Sequence, residues 1–110
     1  MAVAVIEREA RIVNPLGMHA RPAAELVKVA SRFTAAIKVG KDDLMVNAKS
    51  IMGVMMLAAE CGSTIRFHAD GADAETAIAA LLELVAAGFH EMHLTGDERD
   101  LEDEAEGEPV

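Results

Sequence analysis

The sequence predicts an α+β domain, an open-faced sandwich in which a four-stranded antiparallel sheet is covered on one face by three helices. Three observations predict it: the elements follow the order β-α-β-β-α-β-α, the strands alternate apolar and polar residues, and each helix has one apolar face. With 110 residues, 52% of them hydrophobic, the chain is long enough for one such domain and too short for two. Only three residues are aromatic and seven are Met, so we expect a core of aliphatic side chains with Met filling its gaps.

The first two elements precede residue 32. Ile6, Ala10 and Ile12 alternate with charged neighbours, which predicts a half-buried strand over residues 6–13, with Arg8 as the exception. A helix over residues 20–31 follows, because apolar residues recur there at the spacing of one helical face: Ala23, Leu26, Val27 and Ala30.

Five more elements are predicted after it. Residues 36–40 and 44–47 form the strands of a hairpin around a Lys-Asp-Asp turn, and a strand over 63–69 shows the clearest alternation. Asp73 is expected to cap a long helix that extends to Phe89. Between hairpin and last strand, a short helix over residues 50–58 is predicted to have an apolar face of Ile51, Met52, Met55 and Met56.

Negative charge is concentrated at the end of the chain. The net charge is −9, but residues 96–110 hold eight acidic residues and one Arg, so the rest of the chain is nearly balanced. We therefore expect one domain over residues 1–91 and an acidic, disordered tail over 92–110, with a specific docking segment as the alternative for the tail. Without a basic patch, nucleic acid is not an expected partner.

The chain has no features of secretion or membrane insertion. Its single cysteine, Cys61, has no partner for an internal disulfide, and no N-terminal segment resembles a signal peptide. No apolar run approaches the roughly 20 residues that span a bilayer. A cytoplasmic protein without direct membrane insertion is expected, and we expect it to be a monomer.

Residues 14–22, Asn-Pro-Leu-Gly-Met-His-Ala-Arg-Pro, place His19 where the first helix begins and Arg21 two residues later. The first N–H groups of a helix lack intrahelical acceptors and attract anions, above all phosphate. A neutral imidazole there keeps a ring nitrogen available to attack phosphorus, while a guanidinium binds the phosphate oxygens. This pattern favours a phosphoryl-accepting site, although a surface histidine that merely precedes a helix is the alternative.

Two segments resemble the signatures of a known family, the histidine-containing phosphocarrier protein HPr of the bacterial phosphoenolpyruvate-dependent phosphotransferase system. The first is residues 16–23, Leu-Gly-Met-His-Ala-Arg-Pro-Ala, and the second is residues 46–57, Val-Asn-Ala-Lys-Ser-Ile-Met-Gly-Val-Met-Met-Leu. They stand about thirty residues apart, as in that family, and the resemblance extends over residues 3–91. It implies the sandwich fold with strand order 1-4-2-3.

The resemblance also implies a function. His19 would accept a phosphoryl group through Nδ1 from enzyme I and pass it to IIA-type proteins, while Arg21 and the backbone N–H groups of Ala20 and Arg21 bind the phosphate. The protein would be a relay without turnover of its own, and no metal or other cofactor is expected. A regulatory phosphoprotein that signals, of the nitrogen-branch type or as a serine-phosphorylated binding module, is the alternative.

Partner docking and regulation are expected close to this histidine. Flexible Met contacts suit several partners, although spacing alone does not separate docking residues from core residues. The expected docking residues are Ala20, Ala23, Ala24, Leu26, Ile51, Met52 and Met55. Ser50 has two interpretations: it is the N-cap of the second helix, or, as the resemblance implies, a regulatory site for an ATP-dependent serine kinase/phosphorylase.

The segment His90-Glu91-Met92-His93 suggests a metal site only weakly. Two histidines three residues apart supply at most half of a zinc ligand set, and nothing nearby in sequence completes it. We therefore interpret these residues as structural or solvent-exposed.

Overall fold

The structure, a computed structural model, describes residues 4–92. Its strands are β1 (Ala4–Arg11), β2 (Ala36–Lys41), β3 (Leu44–Asn47) and β4 (Thr64–Gly71). Its helices are α1 (Ala20–Ala30), α2 (Ile51–Met56) and α3 (Ala74–Ala86), followed by a short 3₁₀ turn over Gly88–His90. The predicted element order is confirmed, with ends that shift by one to a few residues.

The four strands form one antiparallel sheet in the order β1-β4-β2-β3. β4 lies in the middle, with Phe67 opposite Arg8 of β1 and Val39 of β2. β3 pairs only with β2, through the tight hairpin that the sequence predicts. The strand order 1-4-2-3 that the resemblance implies is therefore confirmed.

The core lies between one face of this sheet and the helices. Ile65, Phe67 and Ala69 alternate inward from β4 and are fully buried, as their spacing predicts. The helices cover them with one apolar face each, formed on α1 and α3 by Ala23, Leu26, Ala30, Ala77, Ile78, Leu81 and Val85. Both ends of α1 are thereby held in place, which positions the residue that precedes it.

The predicted apolar face of α2 is not a packing face. Met52 and Met56 are 76% and 66% exposed, and Ile51 and Met55 are exposed as well. Val54 and Leu57 are buried instead, on the side of the helix that also holds Ser50. Apolar residues surround this short helix, so the spacing alone does not indicate which side faces the domain; the contacts with α1 and β3 decide it.

Asp73 precedes α3, as predicted, but its side chain does not cap that helix. Its carboxylate instead accepts the backbone N–H of Thr34 and of Ala35, both at 2.9 Å. These hydrogen bonds, the one from Thr34 first, lower the pKa of Asp73 below its ordinary value. The carboxylate thus joins the start of α3 to the segment that leads into β2.

Candidate functional site

His19 is the N-cap residue of α1, with extended backbone dihedral angles. The loop before it is held by backbone hydrogen bonds: Met18 N–H donates to Ala59 O at 2.8 Å, and Gly17 N–H donates to Asn14 O at 3.0 Å. Gly17 has φ +71°, and a Cβ there would lie 2.8 Å from Ala59 O. Only glycine fits this turn, which carries the chain past the loop after α2 and into α1.

The first intrahelical hydrogen bond of α1 runs from Ala23 N–H to His19 O, at 3.0 Å. The N–H groups of Ala20 and Arg21 come before it, and Pro22 has none, as the first turn of a helix allows. The side chain of His19 makes no capping hydrogen bond to this turn. The imidazole is thus carried by the residue at which the positive end of the helix begins, and it does not occupy the N–H groups of the first turn.

One edge of the His19 ring contacts a residue that the sequence did not single out as functional. His19 Nε2 lies 2.8 Å from Glu91 Oε1, although the two residues are 72 positions apart. The His19 side chain is 27% exposed, and that of Glu91 is 1% exposed. His19 thus stands at the surface with its Nε2 edge turned toward a buried carboxyl group.

Asn14 completes this cluster from the loop that precedes His19. It is fully buried, and its Nδ2 donates to Gly17 O at 2.8 Å and to Glu91 Oε1 at 2.9 Å. Within residues 4–92, Asn14 Oδ1 and Glu91 Oε2 are buried and have no hydrogen-bond partner. Asn14 was part of the predicted motif, but its role as a link between the loop and Glu91 was not predicted.

Some of the predicted docking residues are exposed, and others are buried in the core. Ala20, Ile51, Met52 and Met55 are exposed, and Ala24 is half-buried. Ala23 and Leu26 are 0% exposed, so the prediction that they contact a partner is wrong. They lie on the side of α1 that faces the core, where a partner does not reach them.

Arg21 and Ser50 lie on the first turn of α1 and immediately before α2. Arg21 is exposed, two residues after His19. Ser50 is half-buried, and its Oγ accepts the backbone N–H of Gly53 at 3.1 Å. This contact is the one that the N-cap interpretation of Ser50 predicts.

Within the described part of the chain, no group of three or more His, Cys, Asp or Glu side chains is arranged to hold a metal ion. His93, half of the weak histidine pair, lies outside the described residues. No helix among residues 4–92 is long and apolar enough to cross a membrane.

Comparison with known proteins identifies the family. The family model for the phosphotransferase-system HPr component phosphorylation site, PTS-HPr, matches residues 6–87. The phosphocarrier protein HPr of Cupriavidus necator is 46% identical over 87 residues, which cover 79% of this chain and 98% of the relative. The HPr of Treponema pallidum is 44% identical over 87 residues, with 79% and 99% covered.

A solved structure agrees. HPr-C-His from Thermoanaerobacter tengcongensis matches with a TM-score of 0.75 and 46% identity, over 78% of this chain and 97% of that one. The fold and the histidine at the start of α1 thus define a phosphocarrier domain of the phosphotransferase system. The chain belongs to the HPr family.

Proposed function

We propose that this protein accepts a phosphoryl group on Nδ1 of His19 from phosphorylated enzyme I and passes it to IIA-type proteins. The observation that carries this proposal is the position of His19 as N-cap of α1 in a domain of the HPr family. His19 stands where α1 begins, and the N-terminal end of a helix is the end at which an anion is stabilised.

The transfer needs a nucleophile and groups that bind the negatively charged phosphoryl oxygens. The Nδ1 electron pair forms the new N–P bond while the bond from phosphorus to the donor breaks and its electron pair returns to the donor. Arg21 and the backbone N–H groups of Ala20 and Arg21 bind the phosphoryl oxygens. The site is at the surface, so the partner enzyme supplies the remaining geometry, and the protein is a relay without turnover of its own.

One exposed surface would serve both donor and acceptor. Ala20 is exposed and Ala24 is half-buried on α1, and α1 contacts α2, which has exposed apolar side chains. Ile51, Met52 and Met55 add apolar area that adapts to more than one partner. We place this exchange in the cytoplasm, which the single cysteine favours.

Ser50 supports a second, regulatory function. Its Oγ lies at the start of α2, next to Ile51 and Met52 of the same surface. A phosphate there would add negative charge to the docking surface and change its choice of partner. In that case the protein would signal through an ATP-dependent serine kinase/phosphorylase in addition to carrying phosphate.

Intact-mass spectrometry tests the carrier function. The protein is incubated with phosphoenolpyruvate and active enzyme I, and the product is then treated with acid. We expect one acid-labile phosphate on the wild type and on Ser50→Ala, and none on His19→Ala. An unmodified wild type, with enzyme I shown to be active on another carrier, would contradict the proposal.

A further inference from the structure

We propose that Glu91 is a positioning residue for His19: its buried carboxylate holds the proton on Nε2, so that Nδ1 presents its electron pair to phosphorus. This inference rests on the proposed function, since it explains how the same histidine is prepared for transfer. It assigns a role to Glu91, a buried acid that is not among the groups proposed to bind the phosphoryl oxygens.

Burial makes Glu91 unusual. Carboxylates are seldom fully buried unless they are paired, because they lose their hydration. Oε1 of Glu91 has two neighbours at hydrogen-bond distance, His19 Nε2 at 2.8 Å and Asn14 Nδ2 at 2.9 Å. A carboxylate that the fold buries against one ring nitrogen of a surface histidine is well placed to orient that ring.

The position of the proton follows from Asn14. Gly17 O only accepts hydrogen bonds, so the Asn14 atom 2.8 Å from it is the amide nitrogen, and the second N–H of that nitrogen points at Glu91 Oε1. Oε1 thus accepts from Asn14, and because a carboxylate has no proton to donate, His19 Nε2 is the donor to the same oxygen. A neutral imidazole with its proton on Nε2 has its electron pair on Nδ1.

The backbone delivers Glu91 to this place through an uncommon turn. Gly88, Phe89 and His90 have φ of +63°, +54° and +62°, a left-handed conformation that non-glycine residues rarely adopt. Phe89 is 2% exposed and anchors the turn in the core, while Glu91 N–H donates to Gly88 O at 3.0 Å. Strained backbone of this kind is retained where the surrounding structure requires it, here immediately before Glu91.

The charge balance of the transfer gives Glu91 a second effect. When the Nδ1 electron pair forms the N–P bond and the donor takes back the electron pair of the broken bond, Nε2 keeps its proton. The ring then carries a positive charge next to the Glu91 carboxylate, on the edge opposite the phosphoryl group. The carboxylate stabilises that charge, and the charge disappears when the acceptor takes the phosphoryl group.

Two measurements on the full chain test the inference. Long-range ¹H–¹⁵N correlation spectra of the unphosphorylated protein report which imidazole nitrogen of His19 carries the proton, and rapid-quench assays give the rate of phosphorylation by enzyme I. The variants are Glu91→Ala and the nearly isosteric Glu91→Gln, with Glu83→Gln, an exposed acid on α3, as the charge-matched control. Amide spectra verify that each variant is folded.

We expect Nε2–H to dominate in the wild type, Glu83→Gln and Glu91→Gln, and both tautomers to be populated in Glu91→Ala. Phosphorylation should slow on the order of tenfold in Glu91→Ala, as when a histidine loses an orienting carboxylate, and less in Glu91→Gln. A folded Glu91→Ala variant that keeps the wild-type tautomer would overturn the inference, even if it is phosphorylated more slowly, because the effect would then be structural. A wild type that shows Nε2–H but takes no phosphate from active enzyme I would refute the proposed function and leave the orienting contact standing.

Discussion

Gly17 passes so close to the carbonyl group of Ala59 that a Cβ at residue 17 would lie 2.8 Å from that oxygen. The approach brings the histidine loop against the loop after α2, and the Met18 N–H then donates to the same oxygen at 2.8 Å. The histidine loop and the loop after α2 are thereby held together through backbone atoms. These contacts do not depend on the nearby side chains.

Gly17→Ala should therefore destabilise the fold and impair phosphorylation. The methyl group meets Ala59 O, and alanine is strained at φ +71°, for a combined loss of about 3 kcal/mol in the free energy of unfolding. Urea denaturation measures it. Gly62→Ala is the matched control, since Gly62 also has positive φ but a Cβ there would meet nothing within 4 Å, so only about 1 kcal/mol is expected. Equal losses in the two variants would show that the contact with Ala59 is unimportant.

Asp73→Asn should remove a pH-dependent part of the stability. The hydrogen bonds from Thr34 and Ala35 lower the pKa of Asp73, so the folded state favours the ionised form. Its contribution is fully present above the pKa of an unfolded aspartate, about 4, and is lost as the pH falls through the lower folded pKa.

Thermal unfolding from pH 7 to pH 2 measures this contribution. The wild type should exceed Asp73→Asn in stability at neutral pH, and the difference should shrink below about pH 4. Asp43→Asn, at an exposed turn residue, is the control and should show little difference at any pH. If the stability difference between the wild type and Asp73→Asn grew on acidification, the predicted lowering of the Asp73 pKa would be contradicted.

Alanine substitutions at Leu26 and Met52 should distinguish a residue that stabilises the fold from one that contacts a partner. Leu26 is 0% exposed, so Leu26→Ala should cost about 2–5 kcal/mol in the free energy of unfolding. Met52 is 76% exposed, so Met52→Ala should change stability by less than about 0.5 kcal/mol.

Steady-state phosphorylation by enzyme I measures the docking effect of Met52→Ala. The apparent KM should rise on the order of fivefold, as for an interface side chain worth about 1 kcal/mol. Val5→Ala is the control, because Val5 is also exposed but lies at the far end of β1 from the histidine loop. If both variants kept the wild-type KM, the exposed face of α2 would not be the docking surface.

Ser50 offers a test that separates capping from charge. Ser50→Ala removes the acceptor for Gly53 N–H and should cost about 1 kcal/mol of stability. Aspartate caps helices about as well as serine, so Ser50→Asp should stay close to the wild type in stability while slowing phosphorylation by enzyme I through added charge. Chemical denaturation and the phosphorylation assay check the two effects; an Asp variant that reacts at the wild-type rate would speak against regulation at this site.

The acidic tail should be dispensable for both fold and transfer. Deleting residues 96–110 removes eight acids and one Arg but leaves residues 4–92, with Glu91, unchanged. The melting temperature and the rate of phosphorylation should therefore match those of the full chain. A large loss of either would favour the alternative interpretation of the tail as a docking segment.

The element order, the hairpin, the inward alternation of β4 and the position of His19 at a helix start were predictable from the sequence, because they depend on neighbours a few residues apart. Apolar spacing, glycine and proline positions and turn residues are signals of that range. The strand order came from resemblance to a family, since periodicity does not say which strands are neighbours.

Only the tertiary structure decided which apolar side chains are buried and which distant polar groups meet. Val54 faces the domain while Met52 faces solvent, Asp73 binds the segment before β2, and Glu91 reaches His19 across 72 residues of chain. The sequence by itself determined the local elements and the position of His19 at the start of α1, whereas these contacts depend on how the elements are placed in space. Packing of the whole chain sets that placement, because burial and long-range hydrogen bonds join residues that are far apart in the sequence.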